Sequence, residues 1–170
     1  MKKPTYLALA GIAACALALT LQAQQRASPP ATVEASIEGH AFSISYSRPS
    51  AKGRDIWGGL VPYGRVWRTG ANEATTLVAE ADLTIGGTHV PAGTYTLFSI
   101  PTADGGQLII NKQTGQWGTR YSEAQDFARV PMTRSANADP VEQFTIAVDE
   151  HGTLQLIWAD ATYSTTVAAP

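Results

Sequence analysis

The feature that most constrains this chain is a period-two alternation of apolar and polar residues in short runs, each ended by a turn signal. Val33, Ala35 and Ile37 alternate with Glu34, Ser36 and Glu38. After Gly39, Phe42, Ile44 and Tyr46 alternate with serines. A repeat of two puts successive side chains on opposite faces of a strand, so each run predicts a half-buried β-strand and the pair predicts a hairpin. Thr75–Ala79 and Asp82–Ile85 continue the pattern, Gly86-Gly87 offers a tight turn, and Thr88–Val90 returns. Further runs lie at Thr94–Ile100, Gln107–Asn111, Val130–Thr133, Val141–Val148, Thr153–Trp158 and Tyr163–Val167. About ten short strands at this spacing predict an all-β fold, a single antiparallel β-sandwich or jelly-roll-like domain. Ser122–Arg129, with a capping serine and early acids, is the one helix candidate.

The N-terminus reads as an address. Lys2 and Lys3 precede an apolar run from Tyr6 to Leu21, and Leu21-Gln22-Ala23 supplies a small-residue exit. This order predicts a signal peptide over 1–23, cleaved after Ala23, and a single domain over 24–170 in a periplasmic or secreted protein of the bacterial envelope. The run is shorter than the ~18 apolar residues of a spanning helix, so no membrane span is expected in the mature chain. Ile12-Ala13-Ala14-Cys15 offers an alternative, a lipoprotein anchored through Cys15, although the apolar run continues beyond that cysteine. Cys15 is the chain's only cysteine, so a chain starting at Gln24 must hold its fold by packing alone.

From Gln24 onward there are 10 Lys and Arg residues against 14 Asp and Glu. Overall negative charge argues against nucleic acid as a partner. The basic charge is concentrated, however. Between Tyr46 and Thr76 lie Arg48, Lys52, Arg54, Arg65 and Arg68 with only Asp55 and Glu73, on a stretch rich in glycine and proline that also carries Trp57, Tyr63 and Trp67. Such a stretch is loop. Guanidinium forks bind paired oxygens and aromatic rings add contact area, so it suits a small anionic or polar ligand. The ligand-binding candidates are Arg48, Lys52, Arg54, Trp57, Tyr63, Trp67, Arg68, Asn72, Glu73 and Thr75. Two other readings remain open: a structural plug whose arginines satisfy loop carbonyls, and a protein-partner surface rich in Trp, Tyr and Arg.

Catalytic signals are sparse. No Gly-x-Ser-x-Gly elbow occurs, and His40, His89 and His151 stand singly, without metal-ligand spacing. Neither metal nor cofactor is expected. If the protein is an enzyme, Glu73 beside Arg68 and Asn72 is the carboxylate to act as base in a hydrolase, lyase or isomerase with an arginine clamp.

Several motifs carry a family resemblance. Ser47-Arg48-Pro49-Ser50, Lys52-Gly53-Arg54, Leu60-Val61-Pro62-Tyr63-Gly64 and the run from Val66 to Thr75, VWRTGANEAT, resemble the signature of the bacterial domain-of-unknown-function family 2911, as do Pro91–Tyr95 and Phe98–Pro101. The resemblance spans the mature domain and implies an exported single-domain protein whose activity is not established. The asparagine synthetase label sometimes given to members does not suit these residues. The chain from Gln24 has no cysteine nucleophile and no phosphate-cradling glycine loop leading into a helix.

Overall fold

A computed structural model describes residues 26–170. The expected leader over 1–23 and Cys15 lie outside the described residues. Among those described, nine strands form: β1 Pro30–Ile37, β2 His40–Ser47, β3 Thr76–Ala79, β4 Leu83–Ile85, β5 Thr88–Val90, β6 Gly93–Pro101, β7 Gly105–Asn111, β8 Asp126–Val148 and β9 Thr153–Ala168. Every pairing is antiparallel. Hydrogen bonds join all nine into one sheet, in the order β1-β2-β3-β6-β7-β8-β9-β4-β5. The expected all-β, antiparallel class is therefore what the chain adopts.

The alternation sets the faces. Phe42, Ile44 and Tyr46 are buried in β2, and their neighbours in β1, Val33, Ala35 and Ile37, pack against the same core. Ile85 pairs with Thr88 across Gly86 and Gly87, whose φ values of 54° and 80° make the tight turn that glycine permits without strain.

The sheet folds back over its own core. In the strand order β2 is separated from β8 by β3, β6 and β7, yet the Ile146 amide donates to the Tyr46 hydroxyl at 2.9 Å. The chain just beyond β2 also runs against the second half of β8: Phe144 N–H donates to Pro49 O at 2.9 Å, and Ala51 N–H to Glu142 O at 2.7 Å. The enclosed core centres on aromatic rings. Trp158 stacks on Trp67 with centroids 5.8 Å apart and 17° between planes, while Phe144 and Trp57 meet these indoles edge-on.

Two sequence expectations change at β8 and β9. Val130–Thr133 and Val141–Val148 are parts of one strand, as are Thr153–Trp158 and Tyr163–Val167. The apparent break is a register shift between Ala136 and Val141, next to Pro140, which has no amide to give the ladder. Asn137 replaces part of the lost pairing: its amide donates to Ala159 O at 2.9 Å, and its oxygen accepts from the Thr162 hydroxyl at 2.7 Å. The helix expected over Ser122–Arg129 is reduced to a 3-10 turn at Glu123–Gln125. Pairing with β7 overrides the weak helical pattern, and Asp126 is fixed at the start of β8 by Asn111 Nδ2, the Tyr121 hydroxyl and Arg129 Nε at 2.6–2.9 Å.

Strands β6 and β7 are buried on both faces. Leu97, Leu108 and Ile110 face the core, whereas Phe98 and Ile109 lie on the outer face, away from it. The two long connections, 48–75 and 112–125, account for that outer burial: Phe98 packs edge-on against Tyr121 at 4.9 Å. The space these connections leave open is where the basic segment collects.

Candidate functional site

Loop 48–75 begins with two arginines committed to internal hydrogen bonds, three to backbone carbonyls and one to a hydroxyl. Arg48 Nε donates to Phe144 O at 3.0 Å and its Nη2 to the Thr145 hydroxyl at 2.8 Å, tying the loop to β8. Arg54 Nε donates to Ala51 O at 2.9 Å and Nη2 to Ser50 O at 2.6 Å, satisfying carbonyls that no strand reaches. Trp57 is core. Its ring lies among Trp67, Trp158 and Tyr163, and its indole N–H donates to Trp158 O at 2.8 Å. Tyr63 is exposed and covers Gly58.

The segment 66–75 is anchored to β6. Trp67 and Ser99 exchange backbone hydrogen bonds of 2.7 and 2.9 Å, and the buried Thr69 hydroxyl donates to Ser99 Oγ at 3.0 Å. From there the chain turns sharply through positive φ at Thr69 (51°), Gly70 (144°) and Asn72 (59°). Gly70 is required by space as well as conformation, since a Cβ there would come within 2.9 Å of Ser47 O. Thr75, fully buried, donates its hydroxyl to Thr69 O at 2.7 Å and closes the turn. Thr75 is therefore a loop staple.

Asn72 and Glu73 hold the N-terminal arm. Asn72 Nδ2 donates to Ser28 O at 3.2 Å, and the Glu73 carboxylate accepts from Arg26 Nη1 at 2.9 and 3.1 Å. The Glu73 carboxyl is held below its ordinary range, first by a hydrogen bond from its own backbone amide and then by Arg26. The loop after β7 docks on the same segment, with Gly118 N–H donating to Asn72 O at 2.9 Å and Ala74 N–H to Gln116 O at 3.2 Å.

Between these pieces lies an open groove of about 690 Å³. Ala27 and Ser28 of the arm form part of its lining, Gly118, Thr119 and Tyr121 of the β7–β8 connection another, Phe98 of β6 and Trp158 of β9 a third, and loop 48–75 the rest. Lys52, Arg54 and Arg68 are its cations, and no Asp or Glu lines it. Arg68 differs from its neighbours. It is half-buried, yet among the described residues its guanidinium makes no hydrogen bond and no ion pair, unlike those of Arg48 and Arg54. Its stem packs at Gly118, where a Cβ would come within 3.0 Å of Arg68 Cδ. Tyr121 contributes ring surface, because its hydroxyl is committed, donating to Asp126 Oδ2 at 2.6 Å and accepting from Arg129 Nη2 at 3.0 Å. Burial and the Asp126 carboxylate push that phenol up to about 12, so it stays protonated.

Residues 28–167 match the family model described as a protein of unknown function, DUF2911. The chain belongs to this family. Comparison with curated proteins and with solved structures yields no match. The DUF2911 segment VWRTGANEAT therefore has a structural reading in this chain: Trp67 packs the core beneath the groove, Arg68 lines it, Thr69, Gly70 and Thr75 form the turn, and Asn72 and Glu73 clasp the arm.

Of the residues singled out from sequence, the groove gathers Lys52, Arg54, Trp67 and Arg68, and leaves Arg48, Trp57, Tyr63, Asn72, Glu73 and Thr75 outside its lining. Glu73 faces a different depression, beside Pro30 and Ser45, and meets neither Arg54 nor Arg68. Sequence reasoning missed Phe98, Thr119 and Tyr121. They join the site only because β6 and the β7–β8 connection pack under it, and no local pattern marks that. Among the described residues, no cluster of three or more His, Cys, Asp and Glu is placed to hold a metal, and no helix is long and apolar enough to cross a membrane.

Proposed function

We propose that this protein is an exported, non-catalytic binding module that takes a small anionic ligand in the groove beside Arg68. The observation that carries the reading is the unspent guanidinium of Arg68, half-buried in a wall with two further cations and no carboxylate. A buried cation with no partner is unfavourable alone and becomes favourable when an oxyanion supplies the missing bonds. The surrounding turn is rigid, since the Trp67–Ser99 pairing and the buried Thr69 and Thr75 fix the backbone that carries Arg68. The catalytic alternative has less support, because the candidate base Glu73 is paired with Arg26 outside the groove.

Trp67 and Trp158 both line the groove, so indole fluorescence reports on it. Titration with carboxylates, phosphates and acidic sugars should give a saturable change with at least one class, and a flat response to all of them would end the reading. Export rests on the basic, apolar and small-residue order of the first 23 residues. Intact-mass analysis of protein recovered from the envelope should give a chain starting at Gln24; a lipidated chain starting at Cys15 would replace that with membrane anchoring.

A further inference from the structure

The groove combines two chemistries. Its cations lie beside Trp67, Phe98 and Tyr121, and two apolar side chains on its lining are left open to solvent: Leu60 is 47% exposed and Val66 38%. Among the described residues only five large hydrophobics are exposed to this degree, and these two lie on the same connection, 48–75, that carries Lys52, Arg54 and Arg68. Isolated exposed apolar residues need no explanation, but a pair on the lining of a groove that already holds unpaired cations offers a covered place for a ligand's hydrocarbon part. A volume of about 690 Å³ is also far more than an inorganic oxyanion fills, and lies in the range of pockets that hold drug-sized molecules.

We infer that the ligand is an amphiphilic organic anion: a carboxylate head on Arg68, and an apolar body lying along Leu60, Val66 and the aromatic wall. This rests on the anion-binding reading above and adds the class of molecule. Inorganic phosphate or acetate would satisfy the cation and leave the apolar lining wet, whereas an alkyl or aryl acid satisfies both. No covalent step is involved, and the ligand enters and leaves through the open side of the groove.

The test is a calorimetric titration of the protein with inorganic phosphate, acetate, hexanoate and octanoate, each below its micelle-forming concentration. Each methylene that is fully covered tightens binding by up to about fourfold, so octanoate, six methylenes longer than acetate, should bind at least about tenfold more tightly even on a half-open surface. Leu60→Ser, at an exposed position that the fold does not need, should flatten the dependence on chain length. Arg68→Gln should weaken octanoate by about tenfold or more, while both variants keep the wild-type circular dichroism spectrum. Equal affinity for acetate, phosphate and octanoate would overturn the amphiphile and leave the anion groove standing. Octanoate binding that neither variant alters would place it elsewhere on the molecule and overturn the inference. Failure of all four probes to bind would overturn it together with the anion-binding reading.

Discussion

Glu73 lies in the same motif as Arg68, but its carboxylate is paired with Arg26, 2.9 Å away and 47 residues earlier in the chain. The most conspicuous acid of the segment therefore acts on the N-terminal arm. Because Ala27 and Ser28 of that arm line the groove, Glu73 shapes the groove from behind.

This pairing sets a pH dependence. The folded-state pKa of Glu73 lies below its ordinary value, so the contribution of the pair is fully present above the ordinary glutamate range and is lost as pH falls through the depressed value. Amide exchange at Ala31, the first β1 amide after the arm, read by mass spectrometry after correction for the intrinsic pH dependence, should accelerate on acidification in the wild type. In Glu73→Gln it should already be fast at neutral pH, with little loss of global stability because both partners are solvent-exposed. Equal protection in the two proteins at neutral pH would show that Asn72 alone holds the arm.

Arg48 and Arg68 should respond in opposite ways to truncation. Arg48→Ala removes two charge-assisted bonds to β8 and should cost about 1–3 kcal/mol in denaturant unfolding. Arg68→Ala strands no carboxylate and should change stability by no more than about 0.5 kcal/mol. Equal costs would mean that both arginines serve the fold.

Trp67 should behave as a core residue. It is stacked on Trp158 and met edge-on by Trp57 and Phe144, so Trp67→Ala should cost about 3–5 kcal/mol. A melting temperature close to wild type would show that the ring is a dispensable rim contact.

The strands were legible because a half-buried strand writes its two faces into the local sequence, and Phe42-Ser43-Ile44-Ser45-Tyr46 does so without ambiguity. The hairpin at Gly86-Gly87 was legible for the same local reason. What the arginines do was not. Arg48, Arg54 and Arg68 are alike in composition and neighbourhood, and differ in whether the fold sets a carbonyl within reach: Arg54 finds those of Ser50 and Ala51 in its own loop, and Arg68 finds none. For Arg48 that carbonyl belongs to Phe144, 96 residues away, and it arrives only because the sheet folds back over its core. The core packing of Trp57, a ligand-contact candidate in the sequence, was not legible on the same account, since Trp158 lies 101 residues along the chain. The helix over Ser122–Arg129 failed because its weak periodicity competed with β7, an open edge needing a partner.

The central claim is that Arg68 awaits an anion. It is tested most directly by the melting temperature of the wild type and of Arg68→Ala, each with and without a saturating carboxylate. At roughly 100 times its dissociation constant a ligand adds about 2.7 kcal/mol to the stability of the state it binds. The account predicts a clear rise for the wild type, none for Arg68→Ala, and near-equal melting temperatures for the two proteins without ligand. An Arg68→Ala protein that melts far below wild type, together with a wild type that no carboxylate stabilises, would contradict it.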